Sequence, residues 1–301
     1  MKKLSSLLTA LFSLVWLTGA GWLPLAVPSG VQPFTGAGDV VGGAAAWWGL
    51  QSYNATTRGT KAVNACNSTG GVDVGCADLL TNSSTGLLVA ATVSGITCPG
   101  ANCTVKIAYD QSGANNCSGS PCDASQATVA NRPTLAASCI GSLPCMQCNG
   151  TSQILASAVP TTITQSFTVS GVAWRTGAIA FAAFYGISSA NVATGFSNGS
   201  GVTFMIGSSL ANGTAASEGS PHAIQSVFAG ASSVSAVDGT STTVNAGVAS
   251  IASAHNICNS VSGGWFLPGS IAEVGVWPIG FNATQIGNMN TNQHSSARWN
   301  F

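Results

Sequence analysis

The pattern of apolar and polar positions beyond residue 150 predicts a series of strands. Phe167-Thr168-Val169-Ser170 alternates as a half-buried strand does. β-Rich runs bounded by turn residues cover 165–175, 177–185, 201–206, 222–229, 231–237, 240–245 and 270–277. Asp238-Gly239 stands between two of these runs and is the strongest short hairpin signal in the chain, since both turn positions need φ > 0. With no long helical period between them, strands at this spacing predict an antiparallel β-sandwich. Pro278 stops the last run. Asn282 then caps a helix with Gln285 at its third position, and Phe281 can staple onto Ile286, so a short helix is predicted over 283–294.

The first half of the chain reads differently. Residues 21–43 are rich in Gly, Pro and Val without a period and predict a linker or an edge strand. Residues 44–53 predict a short helix carrying Trp47, Trp48 and Leu50, with one Trp in the core because neighbours on a helix point apart. From 54 to 150 small polar residues and Gly prevail, so backbone order there is expected to come from disulfides more than from burial. Spacing narrows the pairing of the ten cysteines. Cys66 with Cys76, Cys98 with Cys103, Cys117 with Cys122 and Cys139 with Cys145 would each clip one loop, leaving Cys148 to join Cys258 across the chain. A competing zinc site on Cys145-x2-Cys148, with His255 and Cys258, lacks a second ligand pair at zinc-like spacing.

Composition sets the class. The 301 residues suffice for one large β domain or two small ones. Only 5% are charged, at zero net charge, and eight scattered Lys and Arg cannot form the basic stripe that nucleic acid requires. Lys2-Lys3, the apolar run 4–17 and Thr18-Gly19-Ala20 predict a secretory signal peptide over 1–20, or a retained N-terminal anchor because 22–27 stays apolar. The expected location is therefore secreted or cell-surface, with a virion as the alternative. Asn67-Ser68-Thr69 and Asn149-Gly150-Thr151 are sequons that follow from the Asn, Ser and Thr content rather than from glycosylation.

The most specific text is the loop from 109 to 133. A β-rich run over 104–109 enters the turn Asp110-Gln111-Ser112-Gly113, where Asp110 can accept from N–H groups two residues on, and Asn131-Arg132-Pro133 closes the excursion in extended geometry. Tyr109-Asp110-Gln111-Ser112-Gly113, preceded by Cys98-x4-Cys103, resembles the catalytic domain of the α-L-arabinofuranosidase B family and the wider concanavalin-A-like, laminin-G-like sandwiches of bacterial and phage proteins. The resemblance covers about 40–299 and implies one concanavalin-A-like jelly-roll domain over 44–301, with a disulfide-clipped first half and a C-terminal helix.

Its implied catalysis does not carry over residue by residue. The family nucleophile falls near 204–208, read here as Phe-Met-Ile-Gly-Ser, and its acid/base near 255–259, read as His-Asn-Ile-Cys-Asn. Neither stretch holds an acid. Of eight acids, Glu218, Asp238 and Glu273 follow residue 150; Asp238 suits a turn and Glu273 a structural acceptor within a strand. Were the chain an enzyme, Glu218 and Glu273 would be its pair. His222, His255 and His294 are widely spread, and no Gly-x-Ser-x-Gly elbow accompanies a Ser/His/Asp set. Calcium is the one cofactor suggested, through Asp110, Asp123 and loop carbonyls. Trp265 and Phe266, in a glycine-flanked loop, with Asp110 and Gln111, are the expected ligand-binding residues for a glycan or surface polysaccharide. The reading is a carbohydrate-binding or adhesion module without catalysis; a divergent arabinofuranosidase and a phage tail or decoration protein with an assembly partner are the alternatives.

Overall fold

The computed structural model describes residues 34–301 apart from 90, 94, 100–102, 178, 190–191, 198–200 and 261–263. The signal or anchor segment 1–20, the first part of the linker 21–43 and the start of the Trp265 loop lie outside the described residues. What is described is all-β, with a four-residue helix Ala37–Val40 and a C-terminal helix Ala283–His294.

Two runs of antiparallel strands make up the body. In the first, Thr240–Val244 pairs with Ser233–Val237, then His222–Phe228, Phe167–Arg175 and Pro268–Trp277. The far edge of Pro268–Trp277 is shared by Ala46–Gly49 and Leu143–Asn149. In the second run Leu210–Ala215, Val202–Ile206, Ala193–Ser197, Phe181–Ile187 and His255–Ile257 follow one another. That run continues through Leu155–Ala156, Ala124–Ser125, Cys103–Ala108 and Lys61–Thr69 to Val72–Leu80. Thr134–Ile140 pairs with Leu143–Asn149 of the first run and meets Thr104 of the second. The pairings thus join into one nearly barrel-like set of strands, and the jelly-roll description expected from the sequence is not separately visible.

The inner faces meet in a large apolar core containing Val169, Ile224, Phe228, Val274 and Val276 with Phe184, Phe196 and Met205. Two hydroxyl pairs, Thr194 with Ser226 and Thr203 with Ser235, each 2.7 Å apart, bridge the runs and satisfy their buried polar atoms. On the outer face of the first run, the C-terminal helix buries Ile286 and Met289 beside Trp47, Trp277 and Phe281. It begins as the sequence predicts, with Asn282 accepting from the Gln285 N–H and Gln285 answering at the Asn282 N–H. The Asp238-Gly239 turn takes φ of 49° and 82°, as its hairpin requires.

Residues 44–53 correct the sequence reading. Ala46–Gly49 is a fully buried strand, not a helix. Adjacent strand side chains point to opposite faces, so Trp48 enters the main core and Trp47 the helix-side cluster. The register makes room for this: Gly275 stands opposite Trp47, and a Cβ there would lie 2.4 Å from the indole ring. Two large apolar neighbours look helical or extended by period alone; pairing with Pro268–Trp277 decides between them.

All ten cysteines are joined, as Cys66–Cys76, Cys98–Cys103, Cys117–Cys122, Cys139–Cys145 and Cys148–Cys258. The zinc site on Cys145 and Cys148 is thereby overturned, since both sulfurs are spent in separate disulfides. Five disulfides are the mark of an oxidising compartment, and no described helix is long and apolar enough to cross a membrane.

Candidate functional site

The placement of the eight carboxylates decides what chemistry is on offer. Glu273 is wholly buried against Arg298, itself wholly buried, and its second oxygen accepts from Gln293 Nε2 at 2.9 Å. Gln225 extends that network to Gln293 beneath the C-terminal helix. Glu218 lies instead in the exposed loop before His222 and pairs with the buried Arg175. The strand register sets Glu273 opposite Val172 and Arg175 opposite Gly269, so Glu218 and Glu273 serve separate ion pairs and share no partner.

The other acids are equally engaged. Asp39 accepts from the Gly36 and Ala55 N–H groups. Asp73 takes a two-pronged contact from Arg132, at 2.6 and 3.2 Å, which with a bond from Ser68 holds its carboxyl below the usual range against the cost of burial. Burial opposes ionisation of Asp78, but hydrogen bonds from Lys61, Tyr109 and Asn64 outweigh it and bring the carboxyl down to about 2.

Asp110 and Gln111, singled out in the sequence, turn inward. Asp110 Oδ1 accepts from the N–H groups of Trp47 and Ser112, and Oδ2 from that of Cys122, at 2.9–3.0 Å. Gln111 is buried, receiving no solvent face; its N–H meets the Trp47 carbonyl and its Nε2 the Gly49 carbonyl. Together they clamp the edge of Ala46–Gly49, which accounts for both residues by structure rather than by ligand. An oxygen surrounded by N–H donors is oriented for the opposite of a cation, so the calcium expectation gains nothing from Asp110. Asp123 accepts from the Asp110 N–H at 2.8 Å and is half-buried; burial first, and then the Asp110 charge, raise its pKa.

His222, His255 and His294 are widely spread in the sequence, yet two of them converge. His222 Nδ1 lies 2.6 Å from Asp238 and His294 Nε2 3.4 Å from the same carboxylate. Ser217 Oγ is 3.2 Å from His222 Nε2, which completes a Ser–His–Asp chain on paper. The Ser217 carbonyl, however, sits 3.0 Å from the same nitrogen. With an acceptor at each ring nitrogen the imidazolium is favoured: burial works against the charge, but Asp238 and the carbonyl raise the pKa. A base needs a free lone pair at Nε2, so the group is a cross-link between the loop and the Asp238 hairpin. Its signal in sequence was the hairpin aspartate itself, whose side chain does more than the turn demands.

Trp265 is half-buried and packs against Phe181 at 5.3 Å and Phe204 at 5.7 Å between ring centroids. Phe266 beside it is also partly exposed. Of the sequence-predicted ligand residues, Trp265 and Phe266 are partly exposed in this aromatic cluster at the end of Phe181–Ile187, Asp110 is partly exposed but engaged by three N–H groups, and Gln111 is buried.

No family model matches the sequence, and no curated protein matches it. Solved structures do match the fold. A mutant GH54 α-L-arabinofuranosidase soaked with 4-nitrophenyl α-L-arabinofuranoside superposes with a TM-score of 0.59 at 12% identity, over 86% of this chain and 64% of that one. The same kind of enzyme soaked with a cyclic sulfate inhibitor gives 0.55 over the same shares. Domain 4 of a GH43 extracellular arabinanase from Geobacillus stearothermophilus, in complex with arabinotriose, reaches 0.43 at 11% identity over 52% of this chain and 81% of that domain. The chain spans 64% of the arabinofuranosidase structures. At this identity the likeness is one of fold, and it meets the resemblance drawn from the Tyr109–Gly113 motif at that level.

Proposed function

We propose that this chain is a carbohydrate-binding domain of an exported or surface-displayed protein, built on a concanavalin-A-like sandwich. The supporting observation is the state of its acids. On a fold like that of an arabinofuranosidase, each of the eight carboxylates is held by a backbone amide, a cation or an imidazole, and Glu218 and Glu273 occupy separate ion pairs. A glycosidase needs two carboxyl groups facing one cleft about 5–10 Å apart. Trp265, backed by Phe181 and Phe204, offers a ring face of the kind that stacks on sugars.

A second reading, a divergent glycoside hydrolase, is favoured by one observation. Asp123, whose carboxyl is pushed up chiefly by burial, adjoins Asp110, and a carboxyl raised by its surroundings is how a glycosidase's general acid is made. One preparation of the full oxidised chain separates the readings, through binding to arrayed glycans that include α-L-arabinofuranosyl oligosaccharides and through release of 4-nitrophenol from the aryl arabinofuranoside. The expected result is glycan binding without hydrolysis, weakened at least tenfold, about 1.4 kcal/mol, in Trp265→Ala. Hydrolysis abolished in Asp123→Asn would replace the binding reading with the enzyme. Silence in both assays would sink both and leave a structural role in an assembly.

A further inference from the structure

The strands Phe181–Ile187, Ala193–Ser197, Val202–Ile206 and Leu210–Ala215 follow one another and turn one face to the main core and the other outward. Met205 enters the core, while Phe204 beside it joins Phe181 and Trp265 on the outer face, as alternation along a strand requires. The register sets Asn212 directly opposite Phe204 and Leu210 opposite Ile206, so all four side chains share that face. A bulge follows, in which Gly213 and Thr214 together oppose the single residue Thr203. Gly213 takes the inward place, where a Cβ would lie 2.2 Å from the Ser235 hydroxyl. The extra residue keeps both Asn212 and Ala215 on the exposed side.

Two properties of this face identify what it can hold. It carries no charge: no Asp, Glu, Lys, Arg or His occurs from Thr176 to Ser217, nor from Asn259 to Leu267. Arg175, six residues before Phe181, is buried and paired with Glu218. A ligand bearing a carboxylate or sulfate would therefore meet no free guanidinium, the group that grips such anions. The second property is Asn212 itself. Asparagine is depleted in strands, yet here it stands mid-strand and exposed, and its amide makes no hydrogen bond among the described residues. One C=O acceptor and two N–H donors suit a pair of sugar hydroxyls, each of which both donates and accepts.

We propose that this outer face seats an uncharged oligosaccharide reaching from Trp265 to Asn212, and that Asn212 is the residue that selects among neutral sugars, a role that rests on the carbohydrate reading of Trp265. Trp265 packs on Phe181 and Phe204, whose strands flank Ala193–Ser197, so its ring lies across that strand. Asn212 stands two strands further on, about 10 Å away at the usual strand spacing. That distance is wider than one sugar ring, so a monosaccharide reaches only one of the two residues. Stacking on the indole supplies contact area with little preference among sugars. The Asn212 amide supplies the preference, because hydroxyls placed wrongly leave its donors and acceptor unpaired.

The test uses the full oxidised chain and a graded panel of probes: neutral mono-, di- and trisaccharides, arabinotriose among them, beside uronate-containing oligosaccharides of the same lengths. The wild-type chain is expected to bind the neutral probes alone, more tightly as they lengthen beyond one sugar, with an affinity that salt leaves unchanged. Asn212→Ala should weaken the preferred probe about tenfold and alter the ranking of the neutral sugars, whereas Trp265→Ala should weaken all of them and keep the ranking. Since the Asn212 side chain has no partner to lose, its variant should unfold at the wild-type temperature. The wild-type measurements do not depend on any variant: a uronate-containing probe bound more tightly, or a monosaccharide bound as well as a trisaccharide, overturns the inference. So does an unchanged affinity and ranking in Asn212→Ala, and if Trp265→Ala is weakened in that same series the carbohydrate reading survives without it. A wild-type chain that binds no probe in the panel sinks both.

Discussion

The strands Phe167–Arg175 and Val72–Leu80 are both nine residues long, and they are held by opposite means. All nine residues of the first are buried between two neighbouring strands. In the second only Leu79 is buried, Val72 and Val74 are 66% and 59% exposed, and one edge pairs while the other is largely open. The first belongs to a region stabilised by removal of apolar surface from water. The second is fixed by a disulfide at Cys66–Cys76, by Asp73 bound to Arg132 and by Asp78 bound to Lys61 and Tyr109. A strand that buries little must be tied, and its ties are covalent and ionic.

The largest effect expected is loss of Cys148–Cys258, the one disulfide of the five that links residues distant in sequence, across a separation of 110. In the chain-entropy account, Cys148→Ser with Cys258→Ser lowers stability by about 4–5 kcal/mol, against about 2–3 for Cys66→Ser with Cys76→Ser. Denaturant unfolding monitored by fluorescence measures both. Equal losses, or a larger loss for the short clip, would show that strain or burial governs these bonds instead. Next in size is Arg298→Met, which leaves Glu273 charged and buried beneath the helix and is expected to cost about 3–5 kcal/mol. Adding Glu273→Met should recover most of that loss, because the desolvation penalty of both charges goes with them. A double variant no more stable than the single would mean the pair is favourable in its own right.

The contrast also sets what was readable in the sequence. Strands of the packed region announce themselves by alternation, and the seven runs beyond residue 165 correspond to strands within a few residues at either end. The C-terminal helix was legible to its bounds because its capping box is a local signal. Ala193–Ser197 and Leu210–Ala215 escaped, since Ala-Thr-Gly-Phe-Ser and Leu-Ala-Asn-Gly-Thr-Ala carry neither period nor β-branched density. Lys61–Thr69 and Val72–Leu80 escaped for the same reason, their order resting on pairing and a disulfide. The disulfides themselves were legible because four of the five are local. Of the candidate site, the glycine flanks of Trp265 agree with its partly exposed place, whereas the convergence of His222, His294 and Asp238 depends on tertiary distances that no spacing encodes.

The smallest expected effects sharpen the comparison through pH, because each region carries its own titrating tie. Asp78 has its pKa held down to about 2 in the folded chain. A depressed carboxyl contributes stability that is present above its unfolded value near 4 and fades as pH falls toward 2. With Lys61 more than half exposed, screening limits this to about 1 kcal/mol, and Asp78→Asn should flatten that acid limb. His222, in the packed region, has its pKa raised by Asp238 and the Ser217 carbonyl against the cost of burial. Its contribution is therefore complete below about 6.5 and is lost as pH rises through the folded value. The stability of the wild-type chain should accordingly fall on the alkaline side by up to about 1 kcal/mol, a loss absent from His222→Gln. If His222→Gln keeps the alkaline limb, the ring is neutral in the fold and the Ser217 hydroxyl, not its carbonyl, owns Nε2. That outcome would return the Ser217–His222–Asp238 chain to consideration as a nucleophile and base.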